Sequence, residues 1–497
     1  MSALLCISVM AATTAELRRK RDEAAAADLV ELRLDGLAEP DVAGALAGRT
    51  RPAIVTCRPV WEGGAFTGGE DSRRRILLDA LAAGAEYVDV ELKADFGDVI
   101  RNGGSRVILS MHDFEGVPSD LRERVAAMRA AAPGVVKVAV TARRLADCLP
   151  LLDVAEAMPD DGTPRGVWIA MGMPGTATRV LAARFRSAWM YAGDGVAPGQ
   201  ISGPRMLDEF GFRRLTARTA VYGVIGSPVG HSVSPAMHNA AFRAADRDAV
   251  YLPLQPADVD DFLRVAPRLG IEGASVTIPF KVSTFEWLAA SGEPDALDDE
   301  SRAVGAVNTL RRRDGRWQGR NTDVAGFLAP LAAKTHLAGA RATILGAGGA
   351  ARAAAVALAS AGAAVTVCAR RPERAAEVAG ISGGQAGAWP PARASWDILV
   401  NTTPVGMSPG VADTPWPDAV FDGRLVYDLV YNPVETRLLR EAREAGCATI
   451  GGLDMLVAQA QAQAEWWTGV RPPAALLREA AGRALGLADT DPRVQRT

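Results

Sequence analysis

Cysteine is scarce, with five in 497 residues (Cys6, Cys57, Cys148, Cys368 and Cys447), and they show neither CxxC nor Cys/His spacing. That scatter speaks against a disulfide framework and against a zinc site, and it predicts a reducing, cytoplasmic setting and no metal. Excess charge is also missing: 55 basic and 58 acidic residues leave a net charge of -3. A balance so near zero gives no electrostatic footprint for nucleic acid. The basic runs Arg73–Arg75 and Arg311–Arg313 are short and read as solvated surface. Long apolar runs are absent as well, since none reaches the ~18 residues a membrane helix needs. The opening MSALLCISVM has no basic region and no apolar stretch of signal length, so neither a leader nor a membrane partner is expected.

What is present fits an ordinary globular chain, with 48% hydrophobic and 23% charged residues. The length suggests about three domains at ~150 residues each. In the first part, strand-like runs recur at Leu4–Met10, Leu29–Leu34, Ala53–Arg58, Tyr87–Leu92, Arg106–His112, Val135–Val140, Gly166–Met171 and, weakly, Ser187–Tyr191. Helical patterns separate most of them, for example Thr14–Ala27, Arg73–Ala83, Asp120–Ala132 and Arg144–Met158. This repetition predicts a (β/α)8 barrel with its active site at the C-terminal strand ends; a doubly wound open sheet is the competing fold.

Parallel strands are normally apolar, yet these carry Glu31, Arg33, Asp35, Arg58, Asp89, Glu91, Ser110, His112, Asp113 and Lys137. In VVKVAV, alternation puts Lys137 on one face with Val135 and Ala139. Desolvation there disfavours the ammonium and frees an amine for attack on a carbonyl, which is Schiff-base chemistry. The plainer reading is a lysine that snorkels from a strand end. A mouth lined by Glu31, Arg33, Arg58, His112 and Lys137 favours the first, because desolvating so many charges is costly for packing.

The stretches ELRLD (31–35), TCRPVWEGG (56–64), SMHDF (110–114), VVKVAV (135–140), MGMPGTATR (171–179) and APGQIS (197–202) together resemble the type I 3-dehydroquinate dehydratase family. The resemblance implies that Lys137 forms the imine, His112 is the acid/base and Glu62 orients His112. It implies that Ser8, Glu31, Arg33, Arg58, Arg179 and Gln200 contact substrate, with arginines suited to a carboxylate. One position departs from the family: four before Gln200, Val196 stands where a substrate-contacting serine is usual.

The second part opens with AVYGVIGSPVGHSVSPAMHN, where Ser232 and Ser234 precede Pro235 at an expected helix start. Their hydroxyls suit either a polyhydroxylated ligand or a helix cap. GASVTIPFK presents Thr277 and Lys281, GAVNTL presents Asn308, and GRNTDVAGF presents Asn321 and Asp323, each at the end of an apolar run. RATILGAGGAARAAAVAL then reads as strand, glycine turn and helix, with Gly346, Gly348 and Ala351 at G-x-G-x-x-A spacing. About twenty residues on, where an acid would bind the ribose of NAD, stands Ala369, followed by Arg370, Arg371 and Arg374. Arginines suit a 2'-phosphate, so NADP(H) is the expected cofactor; a solvated basic turn is the alternative. The segment GGLDMLVAQAQAQAEWWTG reads as a helix carrying Gln459.

HSVSP, VTIPFK, GAVNT, NTD, GAGGAAR, NTTPVGM, YDLVYNP and MLVAQA, in that order, resemble the shikimate dehydrogenase family. The resemblance implies that Lys281 and Asp323 are the catalytic pair and that Ser232, Ser234, Thr277, Asn308 and Gln459 hold substrate. It places NADP at Gly346, Ala347, Gly348, Gly349, Ala350, Arg370, Arg371 and Arg374, with Leu429, Tyr431 and Gly452 near the nicotinamide. The expected chain is thus α/β throughout: a barrel over 1–216, a substrate lobe over 217–325 completed by 453–487, and a Rossmann-type NADP lobe over 326–452. Its expected partners are the small molecules 3-dehydroquinate, 3-dehydroshikimate and shikimate. A second module working on quinate with NAD, or a module that senses metabolites without turnover, is the alternative. The tail Ala488–Thr497 is polar and expected to be disordered.

Overall fold

In the computed structural model the described residues are 3–159, 164–193 and 199–487, so Val196 and the tail after Leu487 lie outside them. The chain divides into two compact units, Met1–Val221 with Asp248–Gly270, and Tyr222–Arg247 with Ile271–Thr497.

The first unit is built on β1 (Leu4–Met10), β2 (Leu29–Arg33), β3 (Ala53–Thr56), β4 (Tyr87–Glu91), β5 (Val107–Asp113), β6 (Val135–Thr141), β7 (Arg165–Met171) and β8 (Trp189–Ala192). They form one sheet in the order β7-β6-β5-β4-β3-β2-β1-β8. Consecutive strands from β1 to β7 pair in parallel, and β1 pairs with β8. Between β8 and β7 the contact is a bridge at Ser187 and Gly166, backed by Ala188 N–H donating to the Gly166 carbonyl at 2.8 Å. The barrel is therefore nearly closed, and the open-sheet alternative falls.

One expectation is corrected here. Arg73 is not solvated surface: on the helix Glu70–Ala82 it shares the buried stripe Arg73, Ile76, Leu77, Ala80 and Leu81. The spacing i, i+3, i+4, i+7, i+8 is that of a core-facing helix edge, and its guanidinium lies over the Phe96 ring at 4.5 Å. Arg311 is likewise half-buried, 4.4 Å above the Trp466 ring.

Strand β9 (Ala220–Ile225) leads into the second unit, while β10 (Ala249–Leu254) and the helix Val259–Val265 belong to the first. Strands β11 (Ile271–Val276), β12 (Thr309–Arg313) and β13 (Arg316–Arg320) follow β9 side by side, with β11–β12 and β12–β13 antiparallel. The other sheet of this unit comprises β14 (Arg341–Leu345), β15 (Ala364–Cys368), β16 (Gln385–Gly387), β17 (Ile398–Asn401), β18 (Leu425–Asp428) and β19 (Ala448–Ile450). Its order, β16-β15-β14-β17-β18-β19, reverses direction at β14, and all its pairs are parallel. Such a reversal opens a crevice for a ligand at the carboxyl ends of the central strands. Its core is alanine-rich, with Ala351, Ala353, Ala354, Ala355 and Ala357 of the helix Gly349–Ser360 against Ile344, Val367 and Val400. Small side chains let that helix lie close to the sheet.

Candidate active sites

At the barrel mouth the charges seen in the sequence meet in one buried network. Strand register sets Ser8 beside Glu31, Glu91 beside Ser110 and Ser110 beside Lys137. Lys137 Nζ donates to Asp89 Oδ2 at 3.0 Å, stands 3.8 Å from Glu31 Oε1 and lies 4.3 Å above the Tyr191 ring. With 5% of its surface exposed, Lys137 does not snorkel. Glu31 also accepts from Ser8 Oγ at 2.6 Å and from Thr56 Oγ1 at 2.8 Å. Arg58 bridges Asp89 (3.0 Å), Glu91 (2.9 Å) and Ser110 Oγ (3.0 Å). Arg33 is engaged by Asp35 through two bonds of 2.8 and 2.7 Å.

The network sets the protonation states. Burial pushes Asp89 upward, but Arg58 and Lys137 outweigh it and hold the carboxyl well below its usual range. Glu91 moves up, because burial and the Asp89 charge outweigh the pull of Arg58. Burial, then the Arg58 charge, lowers His112 to about 4, so its imidazole is neutral near pH 7 and able to accept a proton. Glu62 Oε1 accepts from the His112 backbone N–H at 2.9 Å and lies 3.3 Å from its Nδ1. Burial pushes Glu62 up, and the bonds from His112 hold it below its ordinary value. Arg179, buried on the short helix Thr176–Val180 after β7, is lowered to about 10 by desolvation. Gln200 packs beside Gly193, where a Cβ would sit 3.2 Å from Gln200 Nε2.

The second unit holds another lysine–carboxylate pair: Lys281 Nζ donates to Asp323 Oδ2 at 2.6 Å. Lys281 and Asp323 each open a helix, Lys281–Ala290 and Asp323–Ala332. Asn308 sends Nδ2 to Asp323 Oδ1 (2.8 Å) and Gln459 Oε1 (3.1 Å), while its Oδ1 accepts from the Thr322 backbone N–H (2.7 Å). Asn321 ties this loop down, donating to the Ala306 carbonyl at 2.9 Å and accepting from Asp323 N–H at 3.1 Å. Ser234 begins the helix Ser234–Ala244, its N–H donates to Ser232 Oγ at 3.2 Å, and Ser232 hydrogen-bonds Tyr431. Thr277 lies just past β11, its N–H bonded to the Ile225 carbonyl at 2.9 Å.

The glycine turn faces this pair. Gly346 has φ of +113° and a Cβ there would meet Thr402 Oγ1 at 2.5 Å, so both backbone shape and space demand glycine. A Cβ on Gly349 would lie 3.2 Å from Lys281 Cδ, which puts Lys281 directly beside the start of the helix Gly349–Ser360. Ala347 and Ala350 are half-buried in the same turn. A Cβ on Gly452 would sit 2.3 Å from the Leu429 carbonyl oxygen, so the helix carrying Gln459 starts against that backbone. Arg370, Arg371 and Arg374 are exposed at the end of β15, and Arg374 pairs with Glu377 at 2.8 Å. An N-terminal glycine turn with arginines and no acid at Ala369 fits a dinucleotide bearing a 2'-phosphate.

Sequence reasoning gave no role to Asp89, Ser110, Thr56, Tyr191 or Thr322. Asp89 and Glu91 announce themselves by i, i+2 placement on β4, whereas Tyr191 sits on the weakly signalled last strand. Among the described residues no group of three or more His, Cys, Asp or Glu side chains is placed to hold a metal, and no helix is long and apolar enough to cross a membrane.

Residues 5–212 match the family described as type I 3-dehydroquinase, 224–310 the shikimate dehydrogenase substrate binding domain, and 452–481 the shikimate 5'-dehydrogenase C-terminal domain. A chloroplastic bifunctional 3-dehydroquinate dehydratase/shikimate dehydrogenase of Arabidopsis thaliana is 35% identical over 512 residues, covering 95% of this chain and 83% of that one. An NADP(+) shikimate dehydrogenase of Moorella thermoacetica is 45% identical over 294 residues, 55% of this chain and 97% of its own length. A crystal structure of a shikimate dehydrogenase in complex with NADP+ superposes with TM-score 0.50 at 34% identity, over 55% of this chain and 97% of that one.

Proposed function

The chain belongs to the family of bifunctional 3-dehydroquinate dehydratases/shikimate dehydrogenases, and from that premise we propose that it converts 3-dehydroquinate through 3-dehydroshikimate to shikimate, using NADPH. The observation that carries the reading is a lysine held by a buried carboxylate in each unit, the buried Lys137 by Asp89 and the half-buried Lys281 by Asp323. We take the functional domains as 1–216, 217–325 with 453–487, and 326–452, a division by site that differs from the two compact units, the first of which includes Asp248–Gly270.

In the first site Lys137, once it has given up its proton, condenses with the C3 ketone, releasing water and forming an imine. The cationic imine draws electrons from C2, and His112 takes the C2 proton. His112 then returns a proton to the C1 hydroxyl, which leaves as water, and hydrolysis of the imine frees 3-dehydroshikimate and Lys137. Glu62 holds the His112 ring in register. Arg58, Arg33, Arg179, Gln200, Ser8 and Glu31 position carboxylate and hydroxyls.

In the second site, Gly346–Ala350, Arg370, Arg371 and Arg374 would hold NADPH, with Leu429, Tyr431 and Gly452 toward its nicotinamide end, and the cofactor would supply the hydride. Lys281 donates a proton to the developing C3 alkoxide, and Asp323 holds Lys281 and substrate in line. Ser232, Ser234, Thr277, Asn308 and Gln459 bind the remaining hydroxyls and carboxylate. The five cysteines are free and buried, in keeping with a reducing cytoplasm.

Borohydride added with 3-dehydroquinate tests the first step: Lys137 becomes covalently labelled, and a chain that loses water from substrate without label refutes the imine. For the second, Lys281→Ala abolishes NADPH-dependent reduction while NADPH still binds; unchanged turnover removes Lys281 from the role.

A further inference from the structure

The Lys281–Asp323 pair is not held by its immediate neighbours only. Behind Asn308 lies Gln463, one helical turn after Gln459 on the helix Gly452–Thr468 and 2% exposed. Its Oε1 accepts from Ser275 Oγ at 2.8 Å, and its Nε2 donates to Thr309 Oγ1 at 3.1 Å. Thr309 Oγ1 in turn donates to Asn308 Oδ1 at 2.8 Å. Gln463 also hydrogen-bonds the buried His238. Ser275, Thr309, Asn308 and Asp323 are all nearly or fully buried, so water does not substitute for a missing member.

The sense of these bonds is what matters. A threonine hydroxyl has a single proton. Thr309 Oγ1 accepts from Gln463 Nε2 and stands 2.8 Å from Asn308 Oδ1 and 3.2 Å from Thr322 Oγ1, so its one proton serves the shorter contact, to Asn308 Oδ1. That bond, together with the Thr322 N–H, fixes the carbonyl end of the Asn308 amide away from Asp323, leaving Nδ2 to face the carboxylate and Gln459. A reversed amide would set two oxygens against each other at Asp323.

We propose that Gln463 is a positioning residue of the reductase site, acting through Thr309 on Asn308 and thereby on Asp323 and Lys281. This rests on the reading of that site as an NADPH-dependent reductase of 3-dehydroshikimate. Gln463→Met keeps the volume and removes both bonds. Gln463→Glu keeps the acceptor toward Ser275 but presents an oxygen to Thr309, so the Thr309 proton is drawn from Asn308. Thr309→Val breaks the same relay from its other end.

The experiment measures reduction of 3-dehydroshikimate by the full chain, the primary isotope effect with NADPH deuterated at the transferred position, and NADPH affinity by fluorescence. In Gln463→Met and Thr309→Val, kcat falls roughly tenfold, the order expected for losing one orienting hydrogen bond in a buried network. Gln463→Glu falls further. The isotope effect rises in each as the chemical step becomes more limiting, and NADPH affinity stays at the wild-type value. The double variant Gln463→Met/Thr309→Val loses no more than the worse single one. Folded variants with wild-type kcat and isotope effect overturn the inference. So does a fall in kcat matched by an equal loss of NADPH affinity, which marks a general disturbance of packing. A wild-type chain that binds NADPH and reduces nothing refutes the functional reading and this inference with it, whereas wild-type turnover with unaffected variants refutes the inference only.

Discussion

Arg73 donates to Glu91 at a point where neither side chain has any exposed surface. Glu91 passes the contact on to Arg58, and Arg58 to Asp89, the partner of Lys137. A buried charge network of this kind costs desolvation at each member and is stable only while every member has a partner.

Replacing Arg73 by Met leaves the buried Glu91 with Arg58 as its remaining charged partner and its other oxygen unpaired, and is expected to cost roughly 2–3 kcal/mol of stability, less than the range for leaving a buried charge with no partner at all. Adding Glu91→Gln to Arg73→Met removes the half-compensated charge while keeping a hydrogen-bonding group for Arg58, and it recovers part of that loss. Denaturant unfolding of the two variants checks this. Equal stability of single and double variants contradicts it.

His112 supplies a pH dependence whose sign follows from its environment. Burial and Arg58 lower its folded value to about 4, while an unfolded histidine titrates near ~6.5. Between those values the unfolded chain binds more protons than the folded one. The stabilisation from a neutral buried His112 is thus complete above the unfolded value and is lost as pH falls toward about 4. The same shift keeps the ring competent as a base in weak acid. Accordingly kcat/KM for water loss from 3-dehydroquinate keeps no His112 limb near 6.5 and declines close to 4; a limb at the ordinary histidine value contradicts the assignment.

The arginines after β15 carry a cofactor prediction. Arg370 and Arg371 are exposed where an acid would otherwise receive a ribose hydroxyl. Changing both to Ala removes the charge-assisted bonds to a 2'-phosphate, which are worth about 1.5–3 kcal/mol each at most. KM for NADPH is expected to rise by roughly ten- to a hundredfold, with KM for NADH nearly unchanged. Equal losses for both cofactors speak for a positional effect on the loop instead.

Much of this was legible in the sequence, for identifiable reasons. Strand β1 has the expected bounds Leu4–Met10, and the other barrel strands shift by a residue or two at their ends, because apolar runs of strand length are interrupted by helical patterns. Arg73 was misread because a run of three arginines looks solvated; only its phase with Ile76, Leu77, Ala80 and Leu81 shows the buried stripe. Gln463 was missed for the opposite reason, since the alternation QAQAQA hides that Gln459 and Gln463 share a helix face. Asn308 meets Gln459 across 151 positions of sequence, a distance over which no spacing rule operates.

Asp261 is a site of stability that no motif marks. Its carboxylate, 6% exposed on the helix Val259–Val265, accepts from the backbone N–H groups of Leu145, Ala146 and Ala257, each at 2.9 Å. Thus Asp261 fastens the segment Asp248–Gly270 to the turn after β6 within the first unit. Asp261→Ala leaves these donors without an acceptor, and a cost of about 2–4 kcal/mol is expected from unsatisfied buried groups. Asp261→Asn is the sharper test. It is nearly isosteric and keeps one carbonyl oxygen, yet turns an NH2 toward backbone donors that need an acceptor. If acceptor chemistry is what matters, Asn is nearly as costly as Ala in urea unfolding; if volume is what matters, Asn is close to wild type.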